Sequence, residues 1–286
     1  MAFVRVAFAL LLIAGLPALA GAQSAEPNQP WLADRGPGIP TSMFGTFIEK
    51  GELIVYPFFE GYVDDNFEYK PEEFGAAGDV DYRGRYRAKE GLVFISYGLS
   101  DRVAIEFEVA GISATLDKAP GDPSALPSRI HESGLGDIEG QVRWRWNRET
   151  ATHSEVFSYT EFVVPHHEDK LLIGTPGVEI KFGTGVIRGF EWGTIIARAA
   201  IEYASGSTSQ FDVGEYAVEY VRRLGPHWRV YAGLEGTQDE LSAIGELQWH
   251  INRHVVIKAN TGIGLTSKAT DFAPEIGILF SLPVRK

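Results

Sequence analysis

The sequence predicts an all-β protein, an antiparallel transmembrane β-barrel of twelve strands. Three observations carry that prediction. Segment after segment alternates apolar and polar residues, the period of a strand. These segments run about 10–13 residues, against about 5–6 for soluble strands and about 9–11 for strands that cross a bilayer. Short turns and longer links alternate between them, the layout of an outer-membrane barrel.

Composition narrows the field further. Of 286 residues, 44% are apolar and 22% charged, which fits neither a disordered tail nor a helical membrane protein. Lys plus Arg is 26 against 38 for Asp plus Glu, a net charge of −12. That acid surplus argues against a nucleic-acid partner. Cysteine is absent, which excludes disulfides, thiol catalysis and Cys-ligated metals.

Residues 1–22 have the three parts of a secretory signal peptide. Arg5 precedes an apolar run from Val6 to Ala20, and Ala20-Gly21-Ala22 is a small-x-small cleavage site. The run contains Pro17 and is shorter than the about 20 residues of a spanning helix. Residues 23–50 are assigned to a periplasmic leader, since 23–44 are rich in Pro, Gly and polar groups without a period. Residues 51–286 are assigned to the barrel.

The strands follow in order. Segments 52–63 and 82–99 alternate weakly. In 102–110, Val103, Ile105, Phe107 and Val109 oppose Glu106 and Glu108. In 137–146, Ile138, Val142, Trp144 and Trp146 oppose Asp137, Glu139, Arg143 and Arg145. The register of 154–164 is ambiguous. In 177–187, Val178, Ile180, Phe182 and Val186 oppose Glu179 and Lys181, and in 191–204 Arg198 and Glu202 share one face. Segment 213–222 sets Tyr216, Val218 and Tyr220 against Glu215 and Glu219, and 228–236 sets Trp228, Val230 and Leu234 against Arg229, Tyr231 and Glu235. Segment 242–251 sets Leu247, Trp249 and Ile251 against Glu246, Gln248 and His250. Segment 255–265 sets Val255 and Ile257 against Lys258, and the last sets Ile276, Ile278, Phe280 and Leu282 against Glu275.

Alternation alone also suits a soluble sandwich. Strand length, aromatics toward strand ends and the secretion signal favour the barrel. In that register the charged faces line the lumen, because Arg or Lys on a lipid face costs about 2–4 kcal/mol at mid-bilayer. The lumen reads first as a salt-bridge lattice and second as an acid-biased channel lining that favours cations. Arg143 and Arg145 beside Glu106 and Glu108 are the expected pairs. An even strand number places both termini on the periplasmic side. Turns and links are expected at 100–101, 147–152, 188–190, 224–226 and 252–253, and at 64–80, 116–134, 165–176, 205–211, 237–241 and 266–271.

Catalytic motifs are scarce. Gly-x-Ser-x-Gly, the phosphate-binding loop and His-Glu-x-x-His are absent from the sequence. His166-His167-Glu168-Asp169 could ligate a metal, but adjacent residues on a loop seldom converge on one ion, so a solvated loop is the plainer reading. His250 beside Glu246 could serve as a base, with Ser242 or Ser281 as loose candidates for a hydrolase pair; membership of an interior hydrogen-bond network is the plainer reading. No catalytic residue, metal ligand or cofactor is assigned.

Tyr97-Gly98-Leu99-Ser100-Asp101-Arg102 resembles a recurrent hairpin of Gram-negative outer-membrane proteins. Gly134-Leu135-Gly136-Asp137-Ile138 and the hairpin His250-Ile251-Asn252-Arg253-His254, followed by Gly262-Ile263-Gly264-Leu265, extend the likeness over roughly residues 50–282. The group is the transporters encoded with phenol meta-cleavage pathways. The resemblance implies twelve strands and passive passage of small apolar or aromatic solutes across the outer membrane. Surrounding lipid and the barrel-assembly machinery are the implied partners of a monomer. Such barrels often end on an aromatic that the machinery reads; here Phe280 is followed by Ser281-Leu282-Pro283-Val284-Arg285-Lys286. A structural or adhesive surface barrel acting through its long loops is the alternative, with a barrel-embedded lipid hydrolase behind it.

Overall fold

The computed structural model describes residues 29–284 except 168, 206–209 and 239. The signal-peptide assignment and Glu168 lie outside the described residues. Two short strands come first, β1 (Ile39–Pro40) and β2 (Phe47–Ile48), paired with each other. Twelve strands then form a closed barrel: β3 (Glu52–Tyr69), β4 (Tyr82–Gly98), β5 (Val103–Asp117), β6 (Arg129–Asn147), β7 (Glu155–Val164), β8 (Glu179–Phe190), β9 (Gly193–Ala204), β10 (Phe211–Arg223), β11 (Trp228–Gly236), β12 (Leu241–Asn252), β13 (Val255–Gly264) and β14 (Phe272–Pro283). Each pairs antiparallel with the next, and β14 closes on β3. All twelve predicted strands are present.

The side chains sort by parity. Glu106 is 2% exposed, while Phe107, the next residue, is 53% exposed on the outer face. The outer face carries a belt of apolar residues such as Phe59, Val142, Phe182, Ile201, Val218 and Ile276. Trp146, Trp192, Trp228 and Trp249 lie on it toward the short turns, where Trp192 stacks with Phe190 and Trp228 with Trp249. A belt with an aromatic girdle suits a bilayer, and because the sheet closes no strand of it presents a free edge to lipid.

The seam between β14 and β3 has two gaps. The ladder skips between Phe272↔Val63 and Glu275↔Glu60, and again between Gly277↔Phe58 and Phe280↔Val55. Pro274 and Pro57 fall in these gaps, and neither has an N–H to donate.

Strands β3 to β6 span 18, 17, 15 and 19 residues, against 9–13 for β7 to β14. The extra length is at the long-loop end, so this third of the wall stands above the rest. The links expected at 64–80 and 116–134 are therefore shorter, running over 70–81 and 118–128.

The inner wall also has a steric code. A Cβ at Gly183 would sit 2.1 Å from the Tyr159 ring, and one at Gly185 would sit 2.5 Å from Phe157. These glycines on β8 make room for the two inward rings of β7. We expect Gly183→Ala to lower the temperature of the heat-induced mobility shift, at a cost of about 1–3 kcal/mol for overpacking. Gly183→Ala combined with Tyr159→Ala should recover most of that loss; no recovery would mean the clash lies elsewhere.

Candidate functional site

The candidate site is the lumen, and residues 34–48 enter it. The sequence assigns this stretch to a periplasmic leader, yet its contacts are with inward side chains on several walls. Its missing period has a physical reason: its carbonyls are met by wall side chains, so no alternating face is needed. Arg143 donates to Pro40 O at 3.3 Å, and Arg145 donates to Pro37 O at 2.9 Å and to Gly38 O. Arg229 donates to Gly45 O at 3.1 Å, and Lys258 to Phe44 O at 2.7 Å. Ser42 gives its N–H and hydroxyl to one oxygen of Glu106, at 3.0 and 2.7 Å. The tip, residues 42–45, thus touches β5 on one side and β11 to β13 on the other. Gly45 turns it with φ +56°, and a Cβ there would lie 2.7 Å from the Gln248 amide.

Toward the short turns the segment is tied by charge. Arg35 is buried between Glu149 at 2.9 Å and Glu155 at 3.2 Å, and Asp34 accepts the Arg223 N–H at 2.8 Å. Glu49, where the chain leaves the lumen, has its carboxyl pushed above its usual value by burial first and by nearby Glu52 second.

Beyond the tip lies a cavity of about 250 Å³. Phe58, Tyr62, Leu92 and Phe94 of β3 and β4, with Met43 and Phe44 of the tip, give it an apolar side. The rest of its wall is charged. Of the predicted lumen residues, Glu106, Glu108, Asp137, Glu139, Arg143, Glu179, Lys181, Arg198, Glu202, Glu215, Glu235, Lys258 and Glu275 border it. Arg145, Glu219, Arg229 and Glu246 are buried on the inner face away from that border, and His250 is half-buried near the short turns.

The bases are clasped. Arg198 reaches Glu215 at 3.0 Å, Glu219 at 3.1 Å and Glu235 at 2.6 Å. Lys181 pairs with Glu161 at 2.6 Å and Lys258 with Glu246 at 3.1 Å. Arg143 pairs with Glu106 at 3.3 Å, with the Tyr159 ring 4.9 Å from its guanidinium. The expected pairing of Arg145 with Glu108 is not formed. Arg145 binds Glu155 at 2.8 Å, because the β6–β7 register sets it beside that strand's start.

Glu108 instead faces Glu139 directly across the β5–β6 ladder. Glu90 lies near both, and its buried oxygens have no hydrogen-bond partner among the described residues. Acids therefore outnumber bases around the cavity.

The hydrolase candidates are not brought together. His250 contacts Gln248 at 3.3 Å, and the Ser281 hydroxyl donates to Glu52. Asp137 holds the 165–178 link, accepting the N–H groups of His166 at 2.8 Å and Thr175 at 2.6 Å. Among the described residues, no group of three His, Asp or Glu side chains is placed to hold a metal ion. Sequence reading missed Glu60, Glu90, Glu149, Glu155 and Glu161. The parity of Glu155 and Glu161 was visible, but Phe157 and Tyr159 on the same face hide it.

No family model and no curated protein matches the chain. Among solved structures, the chain is similar to an outer-membrane channel from Pseudomonas putida F1, with 15% identity and a TM-score of 0.61, over 85% of this chain and 99% of that one. A looser likeness links it to the toluene transporter TbuX of Ralstonia pickettii, at 9% identity and a TM-score of 0.42 over 83% and 90% of the two chains. Another is to the CymD monoaromatic hydrocarbon channel, at 7% and 0.40 over 84% and 90%. The likeness to the Pseudomonas channel shows that this chain has the fold of an outer-membrane channel barrel.

Proposed function

We propose that the chain is an outer-membrane channel for passive passage of small molecules, apolar and aromatic ones among them, with its short turns and both ends of the barrel domain facing the periplasm. One observation carries this reading: a single chain closes an apolar-skinned barrel around a cavity with one aromatic side and one acidic side. The similar structure from Pseudomonas putida F1 is an outer-membrane channel, which points the same way. The aromatic side offers contact to an apolar ring, and the acidic side biases ion passage toward cations.

The test is planar-bilayer recording of purified protein whose gel mobility shifts on boiling. Discrete conductance steps with a cation-side reversal potential in a salt gradient are expected. Glu108→Gln with Glu139→Gln should move that potential toward zero. Toluene added to the bath should reduce the conductance. Absence of steps from folded protein would count against a channel, and insensitivity to toluene would remove the apolar solute.

A further inference from the structure

The outer face of β4 changes character beyond the apolar belt. Tyr97, Ile95 and Val93 are followed on the same parity by Lys89, Arg87, Arg85 and Arg83, all four exposed. At about 6.7 Å between alternate residues, four cations stand in a row about 20 Å long. Arg129 joins them from β6, and Lys170, on the 165–178 link, donates to Ser133 O at 2.9 Å on that strand. Between them β5 presents the hydroxyls of Ser113 and Thr115.

Acids answer this row only in part. Arg85 and Arg129 share Asp117 at 3.2 and 2.6 Å, Arg87 reaches Asp65 at 2.6 Å, and Arg83 meets Glu68. Lys89 sits across from Gly61 and Ser113 and has no ion-pair partner among the described residues. The pairs that exist are largely exposed, a setting in which they hold weakly and can be opened by a stronger anion. The row is also one-sided. On the outer faces of β7 to β14, no Lys or Arg stands at the long-loop end among the described residues. In a chain of net charge −12, this is a local excess of positive charge placed just where the apolar belt stops.

We propose that this row is a binding surface for the phosphates of the glycolipid in the outer leaflet. The reading rests on the outer-membrane placement above, which puts the long-loop end outside. Continuity with the belt selects the occupant: a molecule whose acyl chains lie against Phe59 and Val93 has its headgroup level with Lys89 and Arg87. Arginine forks grip phosphate oxygens two at a time, and the exposed Ser113 hydroxyl can donate to the same headgroup, while that of Thr115 is held at 3.0 Å by His131 Nδ1. The raised β3–β6 wall gives the headgroup sugars and phosphates a sheet to lie against.

The experiment is native mass spectrometry of the purified full barrel released from detergent. It is incubated in separate arms with bis-phosphorylated lipid A, with dephosphorylated lipid A and with inorganic phosphate. The wild type should retain bis-phosphorylated lipid A and release it as salt rises. R85Q/R87Q/K89Q should retain at least about tenfold less, given the contribution of each cation near an anionic surface. R188Q/R222Q, which removes outward cations at the short-turn end, should retain as much as wild type. K89Q alone should lose part of the binding and serves if the triple variant does not fold. Equal retention of the dephosphorylated lipid, equal retention by the Lys89 and Arg variants, or binding of inorganic phosphate as strong as that of the lipid would each overturn the proposal. Each sample's mobility shift on boiling is read in parallel. A protein without that shift would fail the barrel-in-membrane reading, while folded protein indifferent to phosphate would fail this one alone.

Discussion

Replacing residues 39–47 by two glycines should raise single-channel conductance about three- to tenfold while leaving the barrel folded. A twelve-stranded barrel lies between eight strands, whose interior side chains fill it, and sixteen to eighteen, which leave an aqueous channel. In this chain much of the intermediate space holds main chain. The excision is short to bridge, because a Cβ on Gly38 would lie 2.9 Å from the Ile48 nitrogen. It removes Pro40, Ser42, Phe44, Gly45 and Thr46 from their contacts with Arg143, Glu106, Lys258 and Arg229.

The wall should survive the loss. Arg143 keeps Glu106, Arg145 keeps Glu155 and Lys258 keeps Glu246. Water can replace the carbonyls once the lumen is open. Arg35→Ala is the gentler counterpart. It leaves the segment in the chain but removes its clasp on Glu149 and Glu155, so openings of brief duration should appear at the larger conductance. Conductance of the excised, folded barrel equal to that of wild type would show that the segment does not set the opening.

The fold was legible where the two faces differ most. Segments 102–110 and 137–146 alternate apolar with charged residues because one side meets lipid and the other the acidic lumen. The upper parts of β3 to β6 escaped for the opposite reason. Beyond the belt the outer face is polar and the inner face apolar. Ile112, Ala114 and Leu116 point inward while Ser113, Thr115 and Asp117 point outward. The polarity rule inverts mid-strand, and a bulge around Gly136 shifts the phase of β6 again, so these stretches read as loop. The lumen's charges were legible by parity, but its closure by residues 34–48 was not. Much of that contact is made through backbone carbonyls, which carry no residue-type signal, and its charged ties, Asp34 and Arg35, sit in a stretch without a period.

Arg198→Ala should be the most destabilising single substitution in the lumen, by about 3–5 kcal/mol. The guanidinium is nearly buried and binds Glu215, Glu219 and Glu235 at once. Its removal leaves three carboxylates facing one another with little water. Arg198→Lys should recover only part of the loss, since one ammonium cannot present a planar fork to three partners. Arg222→Ala is the contrast: that arginine lies 3.7 Å from Asp34 with its side chain 34% exposed, and its loss should cost under about 1 kcal/mol. The midpoint of urea unfolding, read by the mobility shift, measures both. Replacing the three glutamates by glutamine alongside Arg198→Met should restore much of the stability at neutral pH, since the uncompensated charge is then gone. If that quadruple variant is as unstable as Arg198→Ala, the arginine acts through packing against its neighbours and not through the carboxylates it holds.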